Sequence, residues 1–182
     1  MSIGLLIRQT DEAVIWRGPM KHGVIKQFLR DVEWGELDYL IIDSPPGTGD
    51  EPLSVAQLIP NADGAVIVTT PQDLALDDVR RSVRFCEKLN LKVLGVVENM
   101  SSFVCPDCGA THPIFKTGGG QKMAEELGIP YLGAIPIDPE FVTLSDVGKP
   151  VMLQKKSGPT KESFDMVIQL LLNLPDKEQA KE

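Results

Sequence analysis

No apolar run in this chain approaches the roughly 20 residues of a membrane-spanning helix. Its start, MSIGLLIRQTDEA, carries neither a basic leader nor a signal-type cleavage site. A cytoplasmic chain with no membrane partner is expected. Positive charge is the minority sign, 18 Lys and Arg against 26 Asp and Glu for a net charge of −8, which disfavours a general electrostatic grip on nucleic acid. Cysteine is scarce as well. There are three, two of them in one C-x-x-C, a usage that suits a metal or redox site in a reducing compartment better than a disulfide scaffold. Internal repeats and linkers are also missing. What is present is ordinary globular composition, 42% hydrophobic and 24% charged, far from that of disordered chains. At roughly 100 to 200 residues per domain, the 182 residues give one domain, expected over 1–174, with PDKEQAKE at 175–182 as a solvated tail.

Four short apolar runs, Tyr39 to Ile42, Ala65 to Thr69, Val93 to Val97 and Tyr131 to Ile135, alternate with segments of helical period. That alternation predicts parallel βαβ units, an α/β fold. Between about Leu76 and Leu89, the residues Leu76, Val79, Val83, Cys86 and Leu89 mark one helical face and Arg80, Arg81, Arg84, Glu87 and Lys88 the others. Gly18-Pro19 precedes a helix through Ile25, Phe28 and Leu29, and Pro159 introduces another through Phe164, Val167, Ile168, Leu171 and Leu172. Ser101 to Gly120 reads as a glycine-rich loop region.

Asp43 ends the run DYLIID and is followed by SPPGTGDE. A carboxylate at the carboxyl end of a buried strand lies where open α/β sheets bind ligands. It suits magnesium, and Gly47 and Gly49 let backbone N–H groups approach a phosphate. A strand-ending Asp before a Pro-Gly turn is the plainer alternative. Asn99 closes VLGVVEN at the same sheet edge, with an amide able to donate to and accept from a purine; an ordinary turn asparagine fits the position too.

Cys105-Pro-Asp-Cys108-Gly has the spacing of half a tetrahedral metal site. His112 would extend it to three zinc ligands, whereas a two-fold axis pairing two copies of the motif would assemble four identical soft ligands for a bridging 4Fe-4S cluster. Zinc in the same four-sulfur cage stays open. A redox pair fits less well, because the motif lies in a loop rather than at a helix start. Cys86, on the apolar face of its helix, reads as a buried, inert thiol. The run Thr117-Gly-Gly-Gly-Gln-Lys122 looks like a phosphate loop but is followed by Met123 where Ser or Thr would hold magnesium, and no strand feeds directly into it. A turn opening a helix over Gln121 to Leu127 is the expectation. The other Gly-Lys pair, Gly148-Lys149, is followed by Pro150.

IWRGPM at 15–20, DYLIIDSPPGTGDE at 38–51, TTPQDLALDDVRR at 69–81, GVVENMS at 95–101 and CPDCG at 105–109 together resemble the Mrp-type iron-sulfur cluster carriers. These belong to the MinD- and ParA-like ATPases with a deviant P-loop. The resemblance runs from Met1 to about Met152. It implies a P-loop-type parallel sheet flanked by helices, with Asp43 as the Walker B carboxylate and Ser44 to Asp50, including Gly47, Thr48 and Asp50, as the switch II loop that senses the γ-phosphate. Asn99 would read the adenine edge, and Pro136 to Pro139, which follows the strand as a proline-rich turn on the plainer reading, resembles the family segment beside the base. Cys105 and Cys108 would hold the cluster.

In that family the glycine-rich Walker A loop and first strands lie upstream of the position matching Met1, so this chain is expected to lack the N-terminal strand and the phosphate loop. Negligible hydrolysis by the chain alone is accordingly expected. The implied cofactors are a 4Fe-4S cluster shared across a homodimer and ATP with magnesium; the implied partners are apo iron-sulfur recipient proteins and a chain supplying the P-loop. The leading expectation is iron-sulfur cluster assembly and transfer. A non-enzymatic four-cysteine dimerisation module and a MinD- or ParA-like positioning ATPase share parts of the pattern. The latter would not need CPDCG, and the C-terminus shows no basic amphipathic membrane helix. Arg17 of WRGP receives no catalytic task.

Overall fold

The computed structural model describes residues 1–5 and 15–174; the expected tail at 175–182 lies outside them. The chain divides into two compact units, Met1–Ala62 and Asp63–Glu182.

In the first unit a short 3-10 turn at Ile3–Leu5 precedes two helices, α1 (Gly18–Asp31) and α2 (Asp50–Leu58). Helix α1 starts where Gly18-Pro19 signals, because proline in the first turn forfeits only an N–H that has no intrahelical acceptor. The expected strand at Tyr39 to Ile42 does not form. That segment has no strand geometry, and Tyr39 and Ile41 are 68% and 85% exposed. A strand needs a neighbour for its N–H and C=O groups, and the described elements of this unit are helical. Asp43 therefore stands exposed on a segment without regular secondary structure rather than at the end of a buried strand.

The second unit carries the sheet. Strands β1 (Ala65–Thr69), β2 (Val93–Val104) and β4 (Tyr131–Ile137) are parallel, with β2 between the other two, and the two-residue β3 (Thr111–His112) pairs antiparallel with the end of β2. Helix α3 (Asp73–Lys88) links β1 to β2, and α4 (Gly119–Leu127) precedes β4; α5 (Pro139–Asp146), α6 (Val151–Gln154) and α7 (Pro159–Leu172) follow it.

Alternation along β2 sends neighbouring valines to opposite faces. Val96 joins Ile67, Leu76, Val83, Cys86, Met123 and Ala124 under α3 and α4, while Val97 joins Leu132, Ile135 and Val167 under α7. Each buried Val, Leu, Ile or Met among them contributes about 1.5–3 kcal/mol relative to exposure. One face of the sheet is thereby covered by α3 and α4, and the other is covered by α7 over β4, while Val66 and Val68 of β1 stay exposed on that side. The stretch Ser101 to Gly120, expected as loop, carries regular structure at its two ends and in one short strand between: β2 continues to Val104, the chain turns through the cysteines into β3, and α4 begins at Gly119.

Candidate functional site

In the first unit the segment 43–50 is exposed throughout, Gly47 takes φ +89°, and Asp50 opens α2 with Glu51 in its first turn. Thr48 sits in the bend just before that helix. The WRGP motif, given no role above, is the partner of this loop. Gly18 lies so close to Asp50 that a Cβ on it would overlap the Asp50 carboxylate. Lys21 Nζ then meets Glu51 Oε1 at 2.5 Å, and His22 Nδ1 lies 3.0 Å from the buried Ser54 Oγ. The hydrogen bond from Lys21 holds the Glu51 carboxyl below the usual range.

In the second unit Asn99 and Pro136 come together. Asn99 is paired with Ile135 in the β2–β4 ladder, and the register then slips, so that Phe103 is next to face Ile137. Pro136, with no N–H to donate, sits at that slip. It belongs to β4 rather than to a turn after it. Met100 takes φ +57°, a left-handed conformation that side-chain-bearing residues seldom adopt. The Asn99 side-chain oxygen accepts the Met100 N–H at 2.9 Å. Beyond β4, Asp138 caps α5 by accepting the Glu140 N–H at 3.0 Å and pairs with Lys155 Nζ at 2.5 Å. Burial would raise the Asp138 carboxyl, but hydrogen bonds from Lys155, Thr160 and the Glu140 N–H outweigh it and hold it below its ordinary value.

Cys105 and Cys108 lie on the turn between β2 and β3. The Cys105 N–H donates to Ala110 O and the Gly109 N–H returns to Cys105 O, both at 2.9 Å, which closes the turn. The backbone N–H groups of Cys108 and Asp107, followed by the Cys108 thiol, lower the Cys105 pKa. Backbone donors aimed at a sulfur stabilise its thiolate, the form that ligates metal; the donor set thus fits a soft metal or cluster. His112 does not join it: among the described residues no group of three or more His, Cys, Asp or Glu could hold a metal ion. Cys86 is buried, and burial pushes its thiol up. A shallow cleft of about 640 Å³ beside the hairpin, between Gln72–Leu74 and Pro113–Lys116, is lined by none of the expected site residues.

One residue escaped the sequence reading. Glu98, 1% exposed in β2, accepts the backbone N–H of Gly118 at 2.9 Å and of Gly120 at 2.6 Å. The glycine run is thus occupied by an internal carboxylate at the start of α4, where the helix dipole favours an anion, and it opens a helix as expected. Burial, and then the Glu98 charge, pushes the neighbouring Tyr131 hydroxyl up to about 12. The available signal was an acid inside the apolar run VLGVVEN, which demands a buried partner.

The family model for the NUBPL iron-transfer P-loop NTPases, of ParA type, matches residues 1–172. The chain belongs to that family. An iron-sulfur cluster carrier protein of Saccharolobus solfataricus is 51% identical over 177 residues, 97% of this chain and 57% of the relative. A cytosolic Fe-S cluster assembly factor NUBP2 homolog of Culex quinquefasciatus is 57% identical over 151 residues, 82% of this chain and 59% of the relative. Among solved structures, the nucleotide-binding protein from Archaeoglobus fulgidus in complex with ADP shares 42% identity with a TM-score of 0.67, over 80% of this chain and 58% of that one. The chain thus spans under three fifths of the length of these relatives. The fold is the family's P-loop NTPase sheet with flanking helices. Among the described residues no helix is long and apolar enough to cross a membrane.

Proposed function

We propose that this NUBPL-family chain is the cluster-binding and nucleotide-sensing portion of an iron-sulfur cluster carrier that works in the cytoplasm. The observation that carries the reading is the closed turn presenting Cys105 and Cys108, with the Cys105 thiol biased toward thiolate by two backbone N–H groups. One chain offers two thiols there, and a 4Fe-4S cargo takes four. A homodimer pairing two such turns completes the set. Delivery is thiolate exchange: recipient cysteinates replace Cys105 and Cys108 one for one, so the cargo keeps its charge and oxidation state. The names of the archaeal and insect relatives support iron-sulfur carriage and assembly.

On the nucleotide side, the ADP complex of the archaeal structure supports a nucleotide site. In the first unit Asp43 would hold magnesium, with Gly47, Thr48 and Asp50 sensing the γ-phosphate; in the second, Asn99 with Pro136 would border an adenine base. The phosphates of a P-loop nucleotide are held by a glycine loop, its lysine and its Ser or Thr, and the 182 residues contain no such sequence. A polypeptide of these residues alone binds ATP weakly and turns it over negligibly. Another chain, or further residues of the same protein, supplies the cradle.

Sedimentation of the metal-loaded chain before and after chelation tests the shared site. A shift from dimer toward monomer is expected, and an apo chain as dimeric as the loaded one at every concentration contradicts it.

A further inference from the structure

The proposed function leaves a buried charge without a task. Glu98 lies in β2 next to Asn99, and its carboxylate reaches the N–H groups of Gly118 and Gly120. Between those points the chain runs outward along β2, turns at Cys105 to Cys108, returns through β3 and arrives at α4. One carboxylate therefore ties the end of the cysteine hairpin to its beginning. Neighbouring contacts reinforce the loop at both legs. The buried Ser101 Oγ donates to Ile135 O at 3.2 Å, and Lys116 pairs with Asp73 at 2.5 Å at the start of α3. Between the two buried anchors, Glu98 and Ser101, sits the positive-φ Met100. The helix α4 N-terminus and the 1% exposure of Glu98 make this the most enclosed polar contact of the hairpin.

We propose that Glu98 is the positioning residue of the cysteine hairpin, its carboxylate fixing both ends of the metal-carrying loop so that closure at Gly118 and Gly120 and metal capture at Cys105 and Cys108 favour each other. This rests on the metal-carrying reading of the cysteine pair. A loop competent for ligation only while closed binds metal with an affinity reduced by its closed fraction. The two contacts are charge-assisted hydrogen bonds, among the strongest that a carboxylate makes. Glutamine keeps the size but turns one acceptor into an NH2, which faces a backbone N–H it cannot accept from. The closed fraction falls, and metal affinity falls with it by roughly tenfold.

The experiment is an anaerobic Co(II) titration of the apo chain, of Glu98→Gln and of the double variant Cys105→Ser/Cys108→Ser, followed by thiolate-to-cobalt charge-transfer absorption. Far-UV circular dichroism of each variant accompanies it. Amide exchange at Gly118 and Gly120 is measured in the wild-type chain with and without Co(II). Wild-type binding should vanish in the serine variant and weaken roughly tenfold in Glu98→Gln with unchanged helicity, and cobalt should slow exchange at both glycines, since coupling between sites is reciprocal. Equal affinity in wild type and Glu98→Gln overturns the inference while the cysteine reading stands. Absence of thiolate-dependent binding by the wild type overturns both. Should Glu98→Gln fail to fold, the wild-type exchange decides, and rates indifferent to cobalt overturn the inference.

Discussion

The carboxylate of Glu98 accepts the N–H of Gly120 at 2.6 Å, an acid inside a central strand holding the start of a helix. This contact, rather than a nucleotide phosphate, accounts for the glycine run at 118–120. Gly119 packs so tightly that a Cβ there would stand 2.5 Å from the Pro71 carbonyl oxygen, while Gly118 has open space but φ +77°.

Gly119→Ala is accordingly expected to cost about 2–3 kcal/mol, because backbone must move to admit the methyl. Gly118→Ala should cost about 1 kcal/mol, the strain of a left-handed alanine. Urea unfolding of both variants measures this. Equal and negligible costs would mean that the run is not packed as described.

The Asp138–Lys155 pair gives a pH signature. Asp138 is held below its usual 3.8, so its contribution to stability is full above that value and is lost as pH falls through the lower folded value. Lys155 is held above 10.5, first by the Asp138 hydrogen bond, so its share is full below that value and lost as pH rises through the folded one. Asp138→Asn, which removes the paired charge, should cost about 2 kcal/mol at neutral pH, with the difference from wild type shrinking in acid. A difference constant from pH 7 to pH 2 contradicts the assignment.

Gly18→Ala probes the WRGP motif. The methyl collides with the end of the Asp50 side chain rather than with backbone, so the carboxylate should rotate away at a cost under about 1 kcal/mol. Adding Asp50→Ala should remove that cost. A double-mutant cycle that shows no coupling places Asp50 elsewhere.

Thiol reactivity separates Cys105 from Cys86. Cys105, its pKa lowered by backbone donors, should be alkylated by iodoacetamide at neutral pH faster than an ordinary thiol, and Cys86, buried and raised, should react only on unfolding. Mass spectrometry of partially labelled chain reads the order. Cys86 labelled first in the native chain would contradict it.

Much of this was legible in the sequence for local reasons. Helices α1, α3 and α7 start within a few residues of their proline or periodicity signals, and Ala65–Thr69 begins and ends where its apolar run does. Tyr39 to Ile42 failed because apolar character marks a segment able to be a strand without supplying the neighbour that makes it one. Val93–Val104 ran past Asn99 because its last residues are held by pairing with His112 and Thr111, a tertiary gain invisible to local pattern. The cysteine turn was legible from spacing alone. Glu98 was not, since an acid in an apolar run reveals that it has a partner and not which one; the partner lies 20 residues downstream.

The most direct measurement is iron and acid-labile sulfide per chain after anaerobic reconstitution of wild type, Cys86→Ser, Cys105→Ser and Cys108→Ser. Wild type and Cys86→Ser should both reach about two iron and two sulfide per chain, one 4Fe-4S cluster per two chains, and the other two variants should hold next to none. Loss of the cluster in Cys86→Ser with retention in Cys105→Ser would contradict the assignment of Cys105 and Cys108 as the site that carries it.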